Sequence, residues 1–128
     1  MDKSYLIKLD QEIIGSTNLE KADPPMGVVF GKIHFLDEEI NYDFIKSYCE
    51  ENKIELAYDS SEDKLLSTST IEKLRVISSS GQEIKGLGNQ ISGMDSEGFE
   101  ISIEGIEYPL YGEEFPQHVK EYQERFKK

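Results

Sequence analysis

Asp23-Pro24-Pro25-Met26-Gly27 separates the opening of the chain from everything that follows it. A proline has no amide N–H and forces the residue before it into an extended shape, so Lys21–Pro25 forms a connection that cannot join a central β ladder. Gly27 then frees the backbone for a turn. Behind it, Val29, Ile33 and Phe35 fall on one face of a strand pattern; Val28, Phe30 and Leu36 share the other with Lys32 and His34. Apolar residues on both faces predict a strand covered on both sides for its first half, the most buried of the chain. Gly27 and Gly31, set beside Val28 and Val29, weigh against a buried helix here.

Ahead of the prolines, Tyr5, Ile7 and Leu9 alternate with Leu6, Lys8 and Asp10, and Glu12–Thr17 returns after a turn at Asp10-Gln11. That pattern is a hairpin, with Gly15 marking a bulge or a close backbone approach. Beyond Leu36, Asn41 stands where it can cap a helix over about 41–52, whose stripe is Tyr42, Ile45, Tyr48 and Cys49. Ile54, Leu56 and Tyr58 then read as a strand, and Asp59–Lys64 as a polar loop. From Leu65 the chain is mainly β: two runs over 65–70 and 71–78, a turn at Ser78–Gly81, and a glycine-rich section without a clear register. Phe99, Ile101 and Ile103 give the clearest period-two segment. Pro116 opens a C-terminal helix over about 115–127, with Phe115, Val119, Tyr122 and Phe126 on one stripe and Lys127-Lys128 at its dipole end. The fold class is therefore α+β: a mostly antiparallel, curved sheet with one helix between strand groups and one at the end.

With 128 residues the chain is expected to form one domain over 1–128, able to bury its own core without metal or disulfide staples. Cys49 is alone, which excludes an intramolecular disulfide and any multi-cysteine zinc site. Lys and Arg number 14 against 26 Asp and Glu, a net charge of −12. That sign opposes attachment to nucleic acid or to an anionic membrane, and it steers cationic partners inward. No apolar run reaches membrane-helix length, and the start lacks a signal-peptide core, so the expectation is a cytoplasmic protein.

Catalytic patterns fail one after another. His34 and His118 are far apart, and His118 reads as a surface or cap residue. Cys49 lies on an apolar stripe, where free cysteine behaves as a small core residue. Gly86-Leu87-Gly88 to Gly93 matches neither nucleotide-loop fingerprint and reads as turns and bulges. Asp59, Ser61 and Asp63 imitate a calcium loop, but Lys64 replaces its glycine and Thr70 its bidentate glutamate. No cofactor or metal is implied. What remains is the placement of acids: Asp37, Glu38, Glu39 and Asp43; Asp59, Glu62 and Asp63; Glu100 and Glu104 on one strand face. Like charges on one strand face cost stability unless something offsets them, so these three groups are the expected partner-binding residues.

Two blocks carry a resemblance. Asp23-Pro24-Pro25-Met26-Gly27-Val28 with Gly31, and Phe115-Pro116-Gln117-His118-Val119 with Tyr122, are similar to a set of small bacterial proteins sharing a DPPMGV block and a late FPxHV block. That resemblance implies one cooperative domain and no catalytic residues. In size, acidity and lack of chemistry the chain is also similar to toxin-immunity proteins, which implies a non-enzymatic bacterial protein binding a basic, nuclease-type toxin. The alternatives are a small enzyme or small-molecule binder with a site near Asp23–Gly31 and His34 or His118, and a homo-oligomeric subunit using an exposed β edge; the sequence leaves the oligomeric state open.

Overall fold

Apolar alternation builds two antiparallel sheets, and the chain passes between them repeatedly, once at Ile33. The computed structural model describes residues 3–125. Its strands are β1 (Tyr5–Leu9), β2 (Glu12–Thr17), β3 (Lys21–Asp23), β4 (Val28–Lys32), β5 (His34–Phe35), β6 (Leu56–Ser60), β7 (Leu65–Thr68), β8 (Leu74–Ser78), β9 (Gly88–Met94) and β10 (Gly98–Glu104). Helices α1 (Tyr42–Glu51), α2 (Leu110–Glu114) and α3 (Pro116–Arg125) complete the fold. One sheet has the order β5-β2-β1-β8, the other β3-β4-β10-β9-β7-β6. The class is α+β with a C-terminal helix, as the sequence indicates.

The β1–β2 hairpin turns at Asp10-Gln11, and a bulge at Ile14 shifts its register so that Ile7 faces Gly15 while Lys8 faces Ile13. Gly27–Leu36 is the point of largest difference from the sequence reading. It is not one strand: β4 joins the larger sheet and β5 the smaller, with the Ile33 N–H donating to the Phe99 carbonyl between them. Val29 is fully buried, whereas Val28 and Phe30 on the other face are half-buried. A regular one-sided burial runs along β10, where Phe99, Ile101 and Ile103 are buried and alternate with Glu100, Ser102 and Glu104. Lys21–Asp23 is an edge strand on β4, which keeps the prolines out of any central ladder.

Pro24–Met26 form a single 3-10 turn, closed by Gly27 at φ 67° with its N–H donating to the Pro24 carbonyl. A Cβ at Gly27 would stand 2.6 Å from the Ile106 carbonyl oxygen, so the site requires glycine for both conformation and space.

Inner faces of both sheets feed one hydrophobic cluster: Ile7 and Val76 from the smaller, Leu66, Ile91 and Ile101 from the larger. Helix α1 adds Tyr42, Ile45 and Cys49 to this core and packs on β7. Asn41 caps it as expected, its side-chain oxygen accepting from the Phe44 N–H at 3.1 Å, a cap that contributes about 1 kcal/mol.

The expected C-terminal helix is α3, preceded by the short α2 with Phe115 between them; Phe126, Lys127 and Lys128 lie outside the described residues. His118 is not a surface residue. It is 6% exposed, stacks on Phe115, and donates from Nε2 to the Leu19 carbonyl at 2.8 Å. Tyr111 donates its hydroxyl to the Val28 carbonyl at 2.9 Å, and Tyr108 to that of Pro24 at 3.4 Å. Helix α3 also packs on Lys21–Asp23 and on Pro24–Met26, which brings the FPxHV block against the DPPMGV block.

Gly27 and Gly81 separate crowding from conformation. Both have positive φ, but a Cβ at Gly81 meets nothing within 4 Å. Urea unfolding should show Gly81→Ala losing about 1 kcal/mol. Gly27→Ala should lose clearly more, about 2 to 4 kcal/mol, because a backbone oxygen cannot move aside. Equal losses would mean that the Gly27–Ile106 approach carries no constraint.

Candidate functional site

Acids gather where the N-terminal end of α1 meets two hairpin turns. The backbone before the helix is a tight turn: Asp37 accepts from the Glu39 N–H at 2.8 Å, and the Asn41 side chain donates to the Glu38 carbonyl at 3.1 Å. Asp95, in the β9–β10 turn, accepts from the Tyr42 N–H at 2.9 Å. Its own N–H donates to the Lys64 carbonyl at 3.1 Å, which ties the β6–β7 hairpin to the same corner. Acidic side chains at a helix N-terminus are favoured by its dipole and by its unsatisfied N–H groups.

Tyr42 is the pivot of this corner. Its ring is buried, Lys46 and Lys64 lie 5.6 and 5.4 Å from its centre, and its hydroxyl donates to Asp59. Lys46 completes the group with an ion pair to Asp59 at 3.0 Å. The Tyr42 hydroxyl and then Lys46 hold the Asp59 carboxyl below its ordinary range; the same Asp59 bond, followed by burial, raises Tyr42. Lys46 is raised in turn, first by Asp59 and then by Tyr42.

The nine acids singled out by sequence therefore fall into separate environments. Asp37, Glu38, Glu39 and Asp43 share one corner with Asp59, Glu62 and Asp63, linked through the Asp43–Lys64 pair at 3.4 Å and the Tyr42–Asp59 bond. Asp59 is not on a loop but in β6, facing α1, and Asp63 is held within its own turn by Ser60 at 3.2 Å. Glu100 and Glu104 stand apart on the outward face of β10. Glu100 pairs with Lys21 at 2.8 Å, and Glu104 lies at the other end of the strand opposite Gly88.

Among the described residues no ion pair engages Asp37, Glu38 or Glu39. Leu36, 64% exposed, precedes them, and Phe44 is 37% exposed on the first turn of α1. Leu36, Asp37, Glu38, Asp95 and Phe99 help to line an open groove of about 560 Å³. Sequence pattern missed Asp95, Lys46 and Lys64. Their roles come from contacts between elements distant in the chain, and the only local signal is the buried-stripe position of Tyr42.

A second groove, of about 690 Å³, brings together His34 and His118 with Lys3, Lys32, Glu20 and Glu121. Asn18, Leu19, Pro116 and Gln117 also line it, and none of Asp23–Gly31 does. Cys49 is fully buried and desolvation pushes its thiol up to about 11, which leaves little thiolate at neutral pH. Among the described residues no group of three or more His, Cys, Asp or Glu is arranged to hold a metal ion, and no helix is long and apolar enough to cross a membrane. Comparison with protein-family models, curated proteins and solved structures gave no match for the chain.

The Tyr42–Asp59 bond has a defined pH window. Because Asp59 is depressed, its contribution is complete above the ordinary carboxylate pKa of about 3.9 and is lost as pH falls through the lowered value. Because Tyr42 is raised, its contribution is complete below about pH 10 and is lost as pH rises through the raised value. Tyr42→Phe should therefore lower the thermal midpoint at pH 7 by roughly 3–6 °C. The gap to the parent protein should narrow below about pH 4 and above about pH 10. A gap that stays constant across pH would show that the mutation acts through packing alone.

Proposed function

We propose that the chain is a non-enzymatic interaction protein, and specifically an immunity protein that neutralises a basic, nuclease-type toxin inside a bacterial cell by covering its cationic surface. The observation that carries this reading is the corner at Asp37, Glu38 and Glu39. Lysines engage Asp43, Asp59 and Glu100, but none of the described ones engages these three. Their charge stays available to a partner. Leu36 and Phe44 sit beside them as apolar groups that a partner can cover, in keeping with interfaces built from an apolar centre and a polar rim.

A nuclease attracts nucleic acid through a cationic surface, and a face of carboxylates competes for the same charges. Long-range attraction raises the encounter rate; the desolvated apolar centre then slows dissociation. Inhibition by this route needs no cofactor and no turnover. Glu62 and Asp63 extend the acidic face along the β6–β7 turn; Glu100 and Glu104, on the outward face of β10, would meet the partner apart from this corner.

The test begins with the genes beside the one for this chain: one of them should encode a cationic toxin domain, to be produced with and without this protein, and the absence of any such gene would contradict the proposal. Growth should be restored by the parent protein. Stopped-flow association should slow about tenfold as salt is raised, as expected for steered binding. Asp37→Lys combined with Glu38→Lys and Glu39→Lys should lower the association rate by about tenfold or more. A toxin that remains active at saturating amounts of this protein, or binding indifferent to salt, would contradict the proposal.

A further inference from the structure

The groove of about 560 Å³ beside the N-terminal end of α1 is lined by two kinds of surface, and its volume is that of a small-ligand pocket. Buried Ile33 and Phe99 and half-buried Phe35 and Ile40 give it apolar walls, with the Phe35 and Phe99 rings edge to face at 6.0 Å. Asp37 and Glu38 line it from the turn before α1, and Asp95 lines it from the β9–β10 turn. Two of these carboxylates are fixed by backbone donors, Asp37 by the Glu39 N–H at 2.8 Å and Asp95 by the Tyr42 N–H at 2.9 Å. Each bond uses one oxygen and, among the described residues, leaves the second without a partner.

No lysine or arginine lines this groove. Around it, Lys64 is paired with Asp43 and Lys46 with Asp59. Lys32 lies against Gly98, a residue of the groove wall, but it shares an adjoining hollow of about 390 Å³ with Lys21, Glu20, Glu97 and Glu100. The groove is therefore apolar and anionic at once, and an occupant has to answer both. An apolar side chain would take the carboxylates out of water without pairing them. A long cationic side chain buries its stem and keeps its head among them. Arginine answers better than lysine, because a planar guanidinium is weakly hydrated, lies against aromatic rings and offers carboxylates a fork of donors. A second copy of this chain is a poor source of that side chain. Of its two arginines, Arg75 is half-buried and donates to the Asp10 carbonyl at 3.3 Å, and Arg125 lies over the Tyr122 ring. The net charge of −12 also opposes self-association. We infer that this groove takes the side chain of an arginine from a basic protein segment, with the stem on Phe35 and Phe99 and the guanidinium between Asp95 and Asp37–Glu38. The inference rests on the proposed reading of the α1 corner as a binding face, and it adds the partner side chain that anchors there.

Two probes separate this fit from charge alone: a capped peptide alternating glycine with arginine, and its lysine counterpart of equal length. Amide shifts of the labelled full chain should respond to the arginine peptide over residues 33–41 and 95–99, with an affinity roughly tenfold above the lysine peptide. Asp95→Asn keeps an acceptor for the Tyr42 N–H and loses the charge; it should bring the arginine peptide down to within about twofold of the lysine one. Glu38→Gln, at an exposed position, is the second variant and should reduce the preference in the same direction without moving the thermal midpoint. Glu104→Gln removes the same charge from the outward face of β10 and should leave the preference intact. Equal affinity for the two peptides, a preference that survives both groove variants, or shifts centred outside the groove would overturn the inference. No toxin enters this measurement, so a failed toxin test leaves the arginine preference readable, and equal peptide affinities leave a charge-steered interface standing.

Discussion

The backbone at Leu19 adopts a left-handed conformation, φ 46°, although its side chain is fully buried and it is not glycine. Such a conformation costs of order 1–2 kcal/mol and persists where neighbours hold it. Here the Leu19 N–H reaches the Thr17 hydroxyl at 3.2 Å and its carbonyl accepts from the His118 imidazole. The bend is what allows the chain to leave β2 in the smaller sheet and enter β3 in the larger one. A few residues on, the prolines and Gly27 reverse it into β4. The C-terminal helices are seated on this bend by His118, Tyr111 and Phe115, so the last elements of the chain lock the first crossing between the sheets.

That arrangement separates two demands on an acidic molecule. The seam is aromatic: the rings of Tyr5, Tyr111 and His118 each pack on Phe115 with centres 5.5–6.1 Å from it, while Tyr111 and His118 donate to backbone carbonyls and Tyr5 to the Glu114 carboxylate at 2.7 Å. Lys3 offsets that carboxylate at 3.3 Å. Lysines sit instead where strands and helix would otherwise bring carboxylates together, Lys21 on Glu100 and Lys46 on Asp59. Surface pairs of this kind contribute little to stability; their effect is to leave uncompensated charge concentrated at Asp37–Glu39. Folding and the proposed binding draw on different residues, and a change at one need not disturb the other.

Much of the fold was legible from local pattern. The Tyr5–Thr17 hairpin, the Asn41 cap, the Tyr42–Ile45–Cys49 stripe and the alternation over Phe99–Ile103 each follow from spacing alone, because in each the partner surface is simply the core. Gly27–Leu36 shows where such reading stops. A strand that ends at Lys32 and another that begins at His34 have the same alternation as one long strand, and only the pairing with β10 and β2 distinguishes them. His118 was misplaced for a related reason: one polar residue on a helix looks exposed until the carbonyl it serves is known, and Leu19 is 99 residues away. At the candidate site the acids were visible, but their sorting depended on Lys46, Lys64 and Asp95, whose contacts are tertiary.

The dependence of both sheets on the helix seam is tested most directly by urea unfolding of Tyr111→Phe combined with His118→Leu, followed by far-UV circular dichroism and by tyrosine fluorescence. The first change deletes the bond to Val28, and the second leaves the Leu19 carbonyl unpaired in the interior. A loss of about 2–4 kcal/mol is expected, with both signals moving in one transition. An early transition that releases the helices while the strands stay folded would contradict it.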